Sequence, residues 1–405
     1  MNMKRNRILL VTFLVVFLFV STTADALIDV NAEVETDSIY TKLVNAGFFE
    51  KNVNNHMPEG AADVIYGYFG ERLAQYGSLN YDAERLNSYI NTESYSKMQI
   101  PLMLMEAQIE ISTASEGRLK YNYYSYTVDY HVSSMASETE LDVCLYLNYD
   151  VAYNGYPGVI SSVTKEPHKL TLVKTDDEWK ISSHEQFNDI TMALENEVKS
   201  KRPLNDFLSM YIDRVTAQIK AFSASEPKNI EGEAPTRALK EYDRSDACRY
   251  ARTYANNDNP SPWYTFTEDC TNFVSIALRK GGLPQDTSGS NTWFWNSRTD
   301  RSGSWAGAKY LRPYLINNNS SSSSNAGAYA VGVDSEDDCS RGDVVSFASG
   351  SDISHNAILT SYSDGSGWLL CQHSYSENGK DVPLEDMLLD YSSGTVYFTH
   401  IKGYY

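Results

Sequence analysis

TEDCTNFVSIALRKGG, residues 267–282, is the stretch on which the reading turns. Phe273, Ile276, Ala277 and Lys280 follow the i, i+3, i+4, i+7 spacing of one helix face, and Gly281-Gly282 ends the run. Thr267 or Asp269 can cap the start. Cys270 then falls in the first helical turn, where unsatisfied N–H groups and the positive end of the helix dipole favour a thiolate. A cysteine hydrolase needs its nucleophile in such a place, ionised and beside donors that hold an oxyanion. A buried structural cysteine, or half of a disulfide, has the same local signature.

Chemistry near neutral pH asks for a histidine base. The C-terminal half holds three: His355, His373 and His400. His355 sits in SHNAILT (354–360), where it shares a face with Ala357 and Leu359. His373 lies in the next strand-like run, GWLLCQHSYS (367–376), joined through Asp364-Gly365 as a hairpin partner. Cysteine on a helix, histidine on a strand and a polar residue on the neighbouring strand follow the nucleophile–base–orienter order. Asn356, Gln372 and Asn378 stand beside His373 as residues able to orient the ring.

Working outward, RGDVVSFAS (341–349) and TVYFTHIKGYY (395–405) complete a small antiparallel sheet, and KEYDRSDACRYARTYANN (240–257) is an amphipathic helix. NNNSSSSSNAG (317–327) is a surface loop. SEPKNIEGEAPTRA (225–238) lacks periodicity and reads as a linker over 223–238. Before it, 60–76, about 82–110 and 188–222 have helical spacing. Residues 121–134, 141–155 and 168–187 alternate with period two, the last as a hairpin with Trp179 opening its second strand. Helices followed by a curved antiparallel meander give residues 27–222 an α+β pattern, loosely similar to the nuclear-transport-factor-like fold.

Lys4, Arg5 and Arg7 precede an apolar run from Ile8 to Val20 and the small-residue site Ala24-Asp25-Ala26. That is the layout of a secretory signal peptide, 1–26, too short in its apolar part to span a ~30 Å hydrocarbon core. The expectation is a secreted, extracellular protein, in contact with the cell wall, without a stable membrane anchor after cleavage. The chain has 405 residues and a net charge of −19; removal of 1–26 leaves 31 basic against 52 acidic residues. Nothing in that balance displaces counterions from phosphates, so no nucleic-acid partner is expected. In an oxidising compartment an odd fifth cysteine points to a thiol kept free. The pairing of Cys144, Cys248, Cys339 and Cys371 stays open, and so does the oligomeric state.

Residues 242–405 resemble the amidase domain found in secreted proteins of Gram-positive bacteria, a group similar to the papain-like NlpC and CHAP cell-wall hydrolases. Eight collinear segments carry the resemblance: YDRSDACRYARTYA, DCTNFVSIALRKGG, NTWFWN, SGSWAGAKYLRPYL, GDVVSF, SHNAILT, CQHSYS and FTHIKGYY. It implies a papain-like domain over 239–405, with Cys270 as nucleophile, His355 as base and His373 as the third residue. Ile276 departs from the pattern, standing where a glutamine is expected. The implied activity is hydrolysis of an amide bond in peptidoglycan or a peptide. Asp269, Asn272 and the tryptophans 293, 295 and 305 are expected to line the substrate groove, since aromatic faces pack on sugar rings and flat peptides. The rival reading is a wall- or ligand-binding ectodomain that retains the hydrolase fold without catalysis. No cofactor is expected: Cys371, His373 and His355 match no zinc spacing, and the acids 334 and 336–338 lack a calcium-loop layout.

Overall fold

The computed structural model describes residues 39–49, 57–223, 238–318, 327–363, 365–374 and 377–405. The expected signal peptide lies outside these residues, as do nearly all of the linker and residues 319–326 of the serine-rich loop. Among the described residues no helix is long and apolar enough to cross a membrane.

The N-terminal half begins with α1 (Ile39–Ala46), α2 (Ala61–Ser78), α3 (Ala83–Leu86) and α4 (Tyr95–Ala114). Four antiparallel strands follow, β1 (Tyr121–Ser137), β2 (Glu140–Tyr153), β3 (Ser161–Thr175) and β4 (Glu178–Gln186). Asp176 and Asp177, both at positive φ, make the tight β3–β4 turn that short acidic side chains tolerate. Two helices, α5 (Asp189–Lys199) and α6 (Leu204–Ser223), replace the single stretch expected over 188–222. Lys201 turns at positive φ and Pro203 cannot continue a helical ladder, so the chain breaks there.

The C-terminal half opens with α7 (Arg244–Tyr254), capped by Asp243, and α8 (Cys270–Lys280). A small hairpin, β5 (Trp295–Ser297) and β6 (Asp300–Arg301), precedes α9 (Gly303–Ala306) and α10 (Ala308–Asn317). The sheet strands are β7 (Ala328–Val333), β8 (Val344–Ser349), β9 (Asp352–Ser363), β10 (Gly367–Gln372) and β11 (Asn378–Pro383). The short α11 (Leu384–Met387) and β12 (Val396–Tyr404) close the chain. β7 and β11 have no counterpart in the sequence reading, because neither is a long alternating run.

The molecule is mixed α and β, with one large antiparallel sheet ordered β1-β2-β3-β11-β10-β9-β8-β12-β7 and β4 paired to β3. The two halves read from sequence are therefore stitched edge to edge. Along the edge of β3 away from β2, two partners share the strand: Ser162, Val163 and Thr164 pair with Lys380, Gly379 and Asn378, while His168–Thr175 pairs with β4. Lys165 at φ 63° and a register shift between Leu147 and Tyr149 make the bend between those two parts. The core follows the strands. One apolar cluster joins Ile111, Val163 and Val215 of the first half to Phe347, Leu359 and Leu370 of the second. A separate cluster packs α7, α8 and the tryptophans on the opposite face of the C-terminal strands.

Arg118 fastens the same seam. Its Nε donates to both carboxylate oxygens of Glu385, at 3.1 and 3.0 Å, and its Nη2 to the carbonyl of Ser366. Burial pushes the Glu385 carboxyl up to about 7 despite the guanidinium beside it. Removing the cation should raise it further, so the loss grows with pH as ionisation is forced on a buried, unpaired group. Arg118→Ala should cost about 3 kcal/mol at pH 8 and less at pH 6. The pair Arg118→Met with Glu385→Gln should recover most of it, as read by urea denaturation.

Candidate active site

Asp269 occupies the N-cap position of α8 without capping it. Its carboxylate turns backwards and collects four donors. Oδ1 accepts from Phe266 N and Asn272 Nδ2, both at 2.8 Å. Oδ2 accepts from Asn259 Nδ2 at 2.8 Å and from His373 Nδ1 at 2.7 Å. The other ring nitrogen of His373 bonds the carbonyl of Tyr254 at 2.8 Å, and the ring stacks on Phe273 with centroids 4.0 Å apart. Both nitrogens of His373 are thus committed to α7 and the start of α8. The expectation that it orients His355 is corrected: it braces the helix that carries Cys270.

The expected substrate groove is corrected too. Asn272 is fully buried, its Nδ2 on the Tyr264 carbonyl and its Oδ1 receiving Trp305 Nε1, each at 2.8 Å. Trp293 donates to Ser275 Oγ at 3.0 Å, and Trp293, Trp295 and Trp305 lie in the core behind α8. The indole N–H groups of Trp293 and Trp305 find partners inside, which is how a buried tryptophan is satisfied. Asp269, equally buried, holds the loop rather than a ligand. Asn259 and Tyr254, which share this network, carry no motif that a sequence reading would single out.

Cys270 is 9% exposed. Burial raises its thiol above the usual range; the Thr271 hydroxyl and the Asn356 backbone N–H pull the other way, while Glu268 and Asp269 add to the rise. The depressed thiol expected from helix position alone is therefore corrected, because desolvation outweighs the donors at the helix start. Asn356 is committed to groups other than an imidazole. Its Nδ2 donates to Thr271 Oγ1 at 2.9 Å and to the Ala308 carbonyl at 3.1 Å, and its Oδ1 accepts from Ser346 at 2.6 Å. These bonds pin β9 to α8 one residue past His355. Asn378 is likewise engaged, accepting from Ser374 N at 3.2 Å.

His355 is 4% exposed, with its ring near Phe347 and Tyr391. Its Nε2 is buried without a hydrogen bond, and so is Oε1 of Gln372. The two side chains act on each other: Gln372 favours the protonated ring, although burial dominates and pushes His355 down to about 4. The contact falls short of a closed hydrogen bond. Register explains the choice of glutamine. β9 and β10 pair Leu359 with Leu370 and Ile358 with Cys371, so alternation puts Gln372 on the His355 face and His373 on the other. Gln372 Nε2 in turn donates to Glu377 Oε1 at 2.8 Å. Among the described residues no hydrogen bond joins Cys270 to His355; the thiol contacts Thr271 Oγ1 at 3.5 Å. His400 stands apart, its Nδ1 on Asp343 at 2.7 Å. Cys248, Cys270, Cys339 and Cys371 are buried outside any disulfide, and Cys144 donates to the Ala46 carbonyl. Among the described residues no group of three histidine, cysteine or acidic side chains is placed to hold a metal.

Residues 241–399 match the family described as Putative amidase domain. This half of the chain is amidase-like. Two proteins of Bacillus subtilis (strain 168) are similar to it. "Uncharacterized protein YhbB" is 31% identical over 174 residues, 42% of this chain and 53% of its own. "Uncharacterized protein YjcM" is 30% identical over 138 residues, 31% of this chain and 32% of its own. The chain thus spans about half the length of the first and a third of the second. A solved structure, the Kfla4162 protein from Kribbella flavida, aligns with 31% of this chain and 88% of its own at 15% identity. Its TM-score of 0.22 supports no argument.

The Asp269 network generates a clear expectation. Asp269→Asn keeps the shape but turns one acceptor into a donor facing donors, and should cost about 3 kcal/mol of stability. Chemical denaturation checks it; a loss below about 0.5 kcal/mol would show that the four bonds are dispensable.

Proposed function

We propose that residues 239–405 form a papain-like, thiol-dependent amide hydrolase with Cys270 as nucleophile, His355 as base and Gln372 as the residue that orients the ring. The observation that carries this is the buried, unpartnered His355 Nε2 beside the equally unpartnered Gln372 Oε1. A carbonyl oxygen accepts only, so it selects the tautomer with the proton on Nε2 and leaves Nδ1 as the base. Nδ1 takes the Cys270 proton as sulfur attacks the carbonyl carbon, and the uncapped N–H groups at the start of α8 receive the oxyanion. The imidazolium returns the proton to the leaving nitrogen, the C–N bond breaks, and water cleaves the thioester. A thiol held above its usual range and an imidazole held below it form a neutral resting pair. Proton transfer accompanies attack in this scheme; no thiolate–imidazolium pair waits beforehand.

The amidase-like match supports an amide bond as the target; the choice of peptidoglycan rests on the sequence resemblance alone, and export on the reading of the N-terminal leader. The burial of Cys270 favours the rival, a wall-binding module without turnover, and one set of variants separates the two. Digestion of purified sacculi, followed by mass spectrometry, should be abolished by Cys270→Ala and by His355→Ala. Gln372→Ala should lower kcat by about 100-fold. Wild-type digestion absent under every condition, with sacculus binding intact, would favour the module.

The pH profile is a separate test. His355, at about 4, must be neutral to act, so kcat/KM should hold through pH 6 and fall only as pH approaches 4. Because Gln372 favours the protonated ring, Gln372→Ala should move that acid limb to lower pH. A limb near 6.5 would remove His355 from the base role.

A further inference from the structure

A cavity of about 830 Å³, its open mouth included, lies where β2 and β3, α2 and α4 meet the segment from Glu377 to Asp390. Four carboxylates line it: Glu166, Glu377, Asp386 and Asp390. Each meets a donor that is neutral or a histidine. Gln372 Nε2 reaches Glu377 at 2.8 Å, Tyr153 Oη reaches Asp386 at 2.8 Å and Asn188 Nδ2 reaches Asp390 at 3.0 Å. Glu166 has the His168 Nε2 atom at 3.4 Å. Among the described residues no ion pair joins these four to lysine or arginine. Arg72, the one arginine on the wall, donates to Tyr68 Oη at 3.2 Å, and of the four carboxylates it is Glu166 whose charge it feels.

One further atom points to a missing occupant. Gln186, 9% exposed, leaves Oε1 without a hydrogen bond, and its side chain lines the cavity. The His168 ring is fixed from behind, its Nδ1 2.9 Å from His184 Nε2, whose Nδ1 is 3.0 Å from Tyr68 Oη. The walls thus hold an excess of acceptors. Tyr76, Tyr121 and Tyr149 add aromatic surface of the kind that attracts cations. Burial and mutual repulsion push Glu377 and Asp390 well up and Asp386 up to about 6, a cost that a bound positive charge relieves.

We propose that this cavity binds a small organic cation, a primary amine or diamine, whose charge the four carboxylates receive, and that Glu377 passes its occupancy to the amidase-like site through Gln372. A metal ion is the poorer fit, since no three ligands converge among the described residues. Binding stands on the cavity alone; the coupling rests on the catalytic reading given above. Glu377 is held at the seam by its neighbour Asn378, which pairs with Thr164 of β3. An ammonium group drawn to Glu377 alters its hold on Gln372, and with it the ring of His355.

The test uses the full chain carrying Cys270→Ala, so hydrolysis plays no part in binding. Isothermal titration with cadaverine should give saturable binding, with glutarate and Ca²⁺ silent. Asp390→Asn combined with Glu166→Gln should weaken it at least about tenfold. No cadaverine binding, tighter binding of glutarate or Ca²⁺, or binding indifferent to the double variant would each overturn the site. With Cys270 intact, saturating cadaverine should change kcat on sacculi at least about twofold, and Glu377→Gln should remove that response. Binding without any kinetic response in an active enzyme would overturn the coupling and uphold the site. An inactive enzyme that still binds cadaverine would count against the catalytic reading and for the cavity.

Discussion

Three residue pairs hold the molecule's two chemistries in one frame. Ser162, Val163 and Thr164 pair with Lys380, Gly379 and Asn378, and Ser161 Oγ adds a bond to the Asp381 carbonyl at 2.7 Å. Without that seam the ten strands would fall into two sheets, each with an exposed edge of unpaired backbone groups. With it, Glu377 is set at the mouth of the N-terminal half's cavity while its carboxylate grips Gln372. The bend at Lys165 makes this possible, since it frees the first part of β3 from β4 and turns it towards β11.

The amidase-like site is governed by desolvation more than by charge. A thiolate at a helix start and an imidazolium on a neighbouring strand would stabilise each other, but both are expensive to form in a dry site. Here burial moves the thiol up and the imidazole down, so the pair rests neutral. In the proposed reaction such a site stays quiet until a substrate carbonyl brings the developing oxyanion to the helix start. The groups around it are arranged for rigidity: Asp269 with four donors, His373 stacked on Phe273, Asn356 tied to Thr271. Rigid support of that kind is what the proposed cysteine–histidine pair needs to stay within the tolerance of catalysis.

What was legible in the sequence was local. Helical spacing located α8 and put Cys270 at its first turn, the Asp-rich turn located the β3–β4 hairpin, and alternation placed His355 on a strand. Everything that depended on a long-range partner was harder. His373 and Gln372 are adjacent, and only the β9–β10 register decides which of them faces His355. The tryptophans have the composition of a sugar-binding groove and the burial of a core, a distinction that depends on what packs behind α8. The division into halves followed chain order, whereas the seam between them uses β11, a six-residue strand with glycine, lysine and aspartate that no alternation rule selects.

The acidity of the chain also takes on a different meaning. Residues 239–405 carry 13 basic and 20 acidic residues, so most of the negative charge belongs to the N-terminal half, although three of the cavity's four carboxylates come from the C-terminal one. A net negative surface disfavours simple attraction to anionic wall polymers and draws small cations instead. Carboxylates buried against one another weaken a fold unless a counter-charge is present, and hydrophobic replacements of equal volume would be more stable. Four of them share one cavity with an unpartnered amide oxygen. That combination is costly as packing and well suited to a ligand that arrives with N–H donors and a positive charge.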